Sequence, residues 1–425
     1  MKVVFITHYF PPLNSSGARR VHSFAKYLSE WGHDVTVVTT KKTFRDGLLT
    51  ESVPNYLKLM EINNFGQIDH AAVVDKFDSM IETRSLLGRF LLKIKRFLMK
   101  FFGQLLDHRL VFAIQFVSPM LATNVKAALN DADVVITSCP PWVMHLAGWF
   151  VKKRFKKKWV ADYRDQFSGN HILRGSFISR PAEVLVDRWL LQKADFVSVI
   201  SSPMKDYYEK FHSNVICIEN GYDESVFEQA HLSLLKDNHQ QCNDFVVRYM
   251  GTITADRIPE VFFKAILELN QSSIKKIVVE FYGESSLLRR VLNDLNPNLI
   301  SYVKFKPQLS YIDSIKAMLT ADALFFIETS DNSSCSSRGV LTTKLFEYLA
   351  AKKPIIAEIK QESLAAKYIE LSGLGIVIST ELEDMLRGLT YLLDETILLK
   401  VNDEFIKSLS RKLKARQLES LLNGL

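Results

Sequence analysis

Residues 339–357 read GVLTTKLFEYLAAKKPIIA. Leu345, Leu349 and Ala350 recur at helical spacing, and Phe346 adds a second apolar position. Lys344 and Glu347 lie three residues apart, on neighbouring turns of that helix and next to each other. The stretch ahead of it, SSCSSRG at 333–339, is small and polar, the composition of a loop that leaves backbone N–H groups free. A helix N-terminus adds partial positive charge, so an anion such as a diphosphate is expected there. Pro354 closes the helix, and Ile355-Ile356-Ala357 reads as the next buried strand. N–H groups for a diphosphate and a carboxylate, Glu347, for ribose hydroxyls together suit a nucleotide. The same residues also fit an ordinary helix between two strands with Glu347 in solvent.

Outward from this stretch the chain alternates strand and helix. Residues 321–327 (ADALFFI), 194–200 (ADFVSVI) and 133–138 (DVVITS, after Ala132) each follow a helical stretch with Ala-Asp and an apolar run. This recurrence is the punctuation of a doubly wound α/β architecture. Asp131-Ala132-Asp133 has the spacing of some metal sites but precedes its strand, so it reads as a helix–strand joint; ligands of open α/β sheets gather at carboxyl ends. In the second half, strands are expected at 245–250, followed by Gly251-Thr252 and Arg257, and at 277–282 and 302–305; residues 393–422 form an amphipathic helix. The first half opens with KVVFIT at 2–7, the loop HYFPPLNSSG at 8–17, an apolar helical stripe from Ala18 to Leu28, Gly32, and DVTVVT at 34–39, which is a βαβ unit. The dinucleotide fingerprint GxGxxG is absent, so a nicotinamide site is not supported. Gly17 either admits a ligand phosphate or serves only the turn.

The totals bound these readings. A chain of 425 residues with 47% hydrophobic content accommodates two domains with sizeable cores. A net charge of +7 favours anionic partners. The four cysteines show no metal spacing and read as reduced thiols. Neither a signal peptide nor a transmembrane helix is expected. Residues 85–106 (SLLGRFLLKIKRFLMKFFGQLL) place Arg89, Lys93, Arg96 and Lys100 on one helical face, against Phe97, Phe101 and other apolar residues, with no acid between Glu82 and Asp107. This composition suits a helix lying in an anionic membrane surface; it also suits a domain helix facing a core. The basic run 152–158 (KKRFKKK) reads as a solvated face or a second lipid contact, and lacks the signature of a nucleic-acid module. Asp162, Arg164 and Asp165 follow a short strand, either as an ion-pair knot or as a hold for an acceptor hydroxyl.

Taken in order, 5–17 (FITHYFPPLNSSG) with Arg19-Arg20, Gly32-His33-Asp34-Val35, DYRD at 162–165, Asn220-Gly221-Tyr222-Asp223, Gly251-Thr252 and TKLFEYLA at 343–350 resemble the family-4 retaining glycosyltransferases. The likeness covers nearly the whole chain and is nearest to the enzymes building capsule, O-antigen or exopolysaccharide units. It implies the GT-B fold: two Rossmann-like domains with the active site in the cleft between them. The corresponding division is 1–225 for the acceptor, a 226–243 connector, 244–400 for the nucleotide sugar, and a final helix, 401–425, that packs back on the N-terminal domain.

By the resemblance, Glu347 holds the ribose. The loop through Gly339, Val340 and Leu341 faces the diphosphate together with Gly251, Thr252 and Thr343. Lys344 and Arg257 neutralise the diphosphate, and Gly17, His145, Arg164 and Asp165 lie toward the acceptor. Lys344, Glu347 and Arg257 are the candidate catalytic residues. The implied partners are a nucleotide-diphosphate sugar, a glycan or polyprenyl-linked acceptor and an anionic membrane surface, without metal, cofactor or nucleic acid. The implied location is cytoplasmic, on the inner face of the cell membrane. The family's Glu-x7-Glu motif has Gly339 at its first position, which leaves room for a second reading, a non-catalytic partner of the same fold that binds glycan intermediates or another transferase.

Overall fold

A computed structural model describes residues 1–43, 46–63, 102–105, 107, 109–171, 176–177, 179–235, 244–255, 257–329, 334–394 and 399–425. Arg89, Lys93, Arg96, Phe97, Lys100 and Phe101, the expected membrane contacts, lie outside the described residues.

The chain forms two compact units. The first comprises Met1–Glu219, Ser334–Gly339 and Lys414–Leu425. Among the described residues its sheet has seven strands: β1 (Lys2–Thr7), β2 (Asp34–Thr40), β3 (Lys58–Ile62), β4 (Val134–Cys139), β5 (Lys158–Tyr163), β6 (Phe196–Val199) and β7 (Val215–Cys217), in the order β3-β2-β1-β4-β5-β6-β7. The second unit comprises Asn220–Ser333 and Val340–Leu413. Its six strands are β8 (Phe245–Met250), β9 (Ile277–Tyr282), β10 (Val303–Lys306), β11 (Ala323–Ile327), β12 (Ile355–Glu358) and β13 (Gly375–Ile378), ordered β10-β9-β8-β11-β12-β13. Every strand pairing in both sheets is parallel. Parallel strands need crossover connections and have both faces covered, which is why the central strands are continuous apolar runs. Each sheet reverses its strand order once, beside β1 and beside β8, the kind of point at which open α/β sheets bind ligands.

The repeated Ala-Asp has a common physical role. Asp133 donates its N–H to Lys2 O (2.8 Å) and accepts the Lys2 N–H on Oδ2 (2.7 Å). Asp195 makes the same pair with Trp159 (2.8 and 2.7 Å), and Asp322 with Val246 (3.0 and 2.7 Å). The carboxylate thus pairs an amide at the start of the neighbouring strand. Asp131 accepts from Lys2 Nζ at 2.6 Å, so the DxD spacing serves the helix–strand joint.

The polar stretch read as a 226–243 connector begins as helix. Glu224–Leu234 starts from an N-cap in which Asp223 accepts from Ser225 N–H, and it buries Phe227 and Ala230 in the second unit's core. Residues Lys414–Leu425 belong to the first unit: Ala415, Leu418, Leu421 and Leu422 of the last helix, Arg411–Asn423, pack with Val21, Phe24, Ala25 and Leu28. Arg416 stacks on Trp31 (3.6 Å), and His33 Nε2 meets Glu419 Oε1 at 2.9 Å. Among the described residues no helix is long and apolar enough to cross a membrane.

Candidate functional site

In the second unit the opening stretch forms the helix Thr343–Ala351, which buries Leu345, Phe346, Glu347, Tyr348 and Leu349 and ends at Lys352 in the left-handed conformation, ahead of Pro354 and β12. Its N-cap, Thr342, makes no side-chain bond to the helix. The hydroxyl donates instead to Glu328 Oε1 at 2.7 Å. A threonine cap normally satisfies one of the orphan amides of the first turn; here it is diverted, and the positive end of the helix is left for another anion.

The groups around this helix end come from the carboxyl ends of β8 and β11. Tyr348 accepts the Met250 N–H at 2.9 Å, tying the helix to the end of β8. Gly251 follows at φ 127, a conformation that favours glycine, and an added Cβ there would have only Lys344 Nζ (3.9 Å) and Tyr249 (4.0 Å) as neighbours. Lys344 Nζ lies 4.0 Å from the centroid of the Tyr249 ring, so the cation is held over an aromatic face. Thr252, next to Gly251, is exposed. Arg257 donates from Nε to Thr254 Oγ1 (2.9 Å) and pairs through Nη1 with Glu328 Oε2 (3.4 Å). Glu328, immediately after β11, therefore links Arg257 to Thr342. It was not a sequence candidate, although its place at a strand's carboxyl end is the signal that would have found it. Glu347 is buried, and its Oε1 has no hydrogen-bond partner. Leu341 is buried in the core, whereas Val340 is half-buried.

Gly339 lies in the first unit, as the C-cap of the short helix Cys335–Arg338. A Cβ at this position would lie 2.8 Å from Ser201 Oγ and 3.4 Å from Met204 Cγ. The packing there gives a steric reason for a small residue at this position.

In the first unit the structure brings Gly17 and Arg164 together. Arg164 donates from Nη1 to Gly17 O and from Nη2 to Pro140 O, both at 2.6 Å, and lies over the Tyr9 ring at 4.8 Å. A Cβ on Gly17 would collide with Arg164 Nη1, so a larger residue there would displace the guanidinium. Asp165 is exposed beside it. The DYRD segment is not an ion-pair knot around Arg164: Asp162 pairs with Arg20, which donates from Nη2 at 2.8 Å, and also accepts from Ser138 (3.1 Å) and Ser198 (2.7 Å). Burial alone would raise the Asp162 pKa, but the Arg20 guanidinium and the serine hydroxyl hold it below the ordinary carboxylate value.

His145 is not brought to the surface with these residues; it is 1% exposed on the helix Val143–Phe155, 4.3 Å from the Tyr163 ring. Thr137 Oγ1 accepts from Trp159 Nε1 (2.8 Å) and lies 2.7 Å from His145 Nδ1, while His145 Nε2 has no partner. Burial lowers the His145 pKa to about 3, so the ring is neutral. The basic run is largely engaged: Lys152 pairs with Asp195 (2.5 Å), Arg154 donates to Phe116 O and Ser118 O (both 2.9 Å), and Lys157 to Asn130 O (2.7 Å). Among the described residues no cluster of His, Cys, Asp and Glu is arranged to hold a metal ion.

The chain aligns over 99–100% of its length with solved structures. Sucrose-phosphate synthase from Thermosynechococcus elongatus matches with a TM-score of 0.63 at 15% identity, covering 99% of this chain and 98% of that one. HepE from Anabaena, in complex with UDP, matches with a TM-score of 0.63 at 13% identity over 100% of both chains. The lipopolysaccharide outer core galactosyltransferase WaaB matches with 0.55 at 11% identity, again over 100% of both. These neighbours are GT-B glycosyltransferases. The fold is GT-B. No family model matches the sequence, and no curated protein matches it.

Proposed function

We propose that this GT-B protein is a retaining glycosyltransferase of family 4 that transfers a sugar from a nucleoside diphosphate to a hydroxyl of a glycan or polyprenyl-linked acceptor in surface-polysaccharide synthesis. The observation that carries this reading is the end of the Thr343–Ala351 helix: its cap hydroxyl is diverted to Glu328, Lys344 lies at its first turn, and buried Glu347 has an oxygen without a hydrogen-bond partner one turn further. The Anabaena neighbour also occurs in complexes with UDP and with UDP-glucose, which favours a nucleotide-sugar donor here.

In this reading the bond between the anomeric carbon and the diphosphate oxygen breaks, the acceptor oxygen bonds to the same face, and the acceptor proton passes to the departing diphosphate. Lys344, Arg257 and the helix end stabilise the charge that grows on the diphosphate, a preorganised electrostatic effect. Glu347 holds the ribose, and the Gly17–Arg164 region of the first unit faces the acceptor. The acid-free stretch 85–106 holds the protein on anionic lipid, each basic residue near the surface contributing about 1 kcal/mol.

The test is a thermal-shift screen of the wild type and Glu347→Ala against UDP, GDP, ADP, dTDP and NAD. A nucleoside diphosphate at a hundred times its Kd stabilises the fold by about 2.7 kcal/mol. The expected result is a shift with a nucleoside diphosphate that Glu347→Ala loses. A shift with none of them would favour the non-catalytic reading, which Gly339 alone suggests.

A further inference from the structure

The side chain that faces Glu347 comes from a stretch with no motif of its own. Arg411 Nη2 lies 3.6 Å from Glu347 Oε1, and the two side chains are 6% and 9% exposed. This arginine is fixed from two directions. Its backbone N–H donates to Tyr222 O (2.8 Å), the Tyr222 N–H donates to Leu409 O (3.3 Å), and Tyr222 and Ser410 form a parallel bridge. A Cβ on Gly221 would run into Leu409 O, so the Asn220-Gly221-Tyr222 turn lies this close only because of its glycine. At the other end of the side chain, Arg411 Nη1 donates to Tyr311 Oη at 3.2 Å.

A carboxylate removed from water needs a counter-charge. Arg411 supplies one at a separation that leaves Glu347 Oε1 without a hydrogen bond, so its capacity to accept is still open. We propose that Arg411 is a positioning residue for Glu347: it holds the carboxylate turned to accept from the hydroxyls of a ribose. It thereby sets a preference for ribonucleotides over 2′-deoxyribonucleotides. The proposal rests on the nucleotide reading given above.

The experiment compares dissociation constants of UDP, GDP and ADP with those of their 2′-deoxy counterparts on the full-length protein, by calorimetry, for the wild type, Arg411→Gln, Arg411→Lys, Glu347→Gln and the Arg411→Gln/Glu347→Gln pair. A hydrogen bond to a charged group corresponds to a ribose preference of roughly tenfold to a hundredfold in the wild type. Arg411→Gln loses most of that preference, Arg411→Lys restores much of it, and adding Arg411→Gln to Glu347→Gln removes nothing further. A ribose preference unchanged in Arg411→Gln, or one that falls additively in the double variant, would overturn the proposal by making Arg411 only part of the scaffold. Arg411→Met replaces Arg411→Gln should the latter fail to fold. Failure of the underlying reading looks different: no diphosphate binds the wild type, or Glu347→Gln keeps the full ribose preference.

Discussion

Arg20 and Asp162 form a buried, forked ion pair in the first unit. Arg20 Nε reaches both carboxylate oxygens at 3.2 Å and Nη2 reaches Oδ1 at 2.8 Å, with the side chains 4% and 2% exposed. Arg20 also donates from Nη1 to Glu219 O at 2.9 Å. One guanidinium thus joins the first helix, the end of β5 and the last residue before the second unit. The charges are far from water, so each depends on the other.

Removing one partner leaves the other charge buried alone, which typically costs about 3–5 kcal/mol. Arg20→Met and Asp162→Asn are each expected to lower stability by roughly that amount, read from the urea midpoint of the first unit's transition. The pair also sets an acid limit. The folded Asp162 pKa lies below its unfolded value of about 3.9, so its stabilisation is present above that pH and is lost as pH falls through the folded value. Asp162→Asn flattens this acid limb; an unchanged limb would assign it to other carboxylates.

His145 predicts a second acid effect at higher pH. Its folded pKa is lowered to about 3, whereas the unfolded ring titrates near 6.5. Between these values the unfolded chain binds a proton that the folded chain does not. Stability therefore falls as pH drops below about 6.5, by roughly 1.4 kcal/mol per pH unit. Denaturant melts at pH 7.5, 6.0 and 5.0 on the wild type and His145→Gln check this. The variant loses the slope in this window, and equal slopes would mean that His145 takes up its proton in the folded state.

Lys344 predicts a catalytic effect with little change in stability, because its cation–π contact with Tyr249 is worth only about 0.5–1 kcal/mol at an open site. Lys344→Met is expected to lower kcat/KM by about tenfold to a hundredfold, the worth of one charge-assisted hydrogen bond. The measurement is turnover of whichever nucleotide sugar the thermal-shift screen selects. Lys344→Met with wild-type kcat/KM would remove the residue from the diphosphate site.

The 85–106 segment predicts salt-dependent lipid binding. Replacing Arg89, Lys93, Arg96 and Lys100 with Gln should abolish most co-sedimentation with anionic vesicles, since each cation contributes about 1 kcal/mol. Neutral vesicles should bind neither protein well. Equal co-sedimentation of wild type and variant would rule out this segment as the lipid contact.

The two-sheet α/β architecture is legible in the sequence because its signals are local. Apolar runs bounded by turns mark the strands, period-3.6 stripes mark the helices, and Ala-Asp announces β4, β6 and β11. The Lys344–Glu347 adjacency is local as well, since three residues on a helix always bring side chains to one face. The candidate site is legible only in part. His145 follows a strand's carboxyl end in sequence, yet Val143–Phe155 turns it toward Tyr163 and into the core, an orientation that no composition rule encodes.

By itself, the sequence determined the alternation of strand and helix in both halves and the helix that presents Lys344 and Glu347. Tertiary structure alone decided that Arg411 faces Glu347, that Arg20 rather than Arg164 neutralises Asp162, and that Glu328 binds both Thr342 and Arg257. The physical reason is the range of the forces. Backbone conformation is set by neighbours along the chain, whereas a charge buried by folding takes whichever counter-charge the packed elements bring beside it.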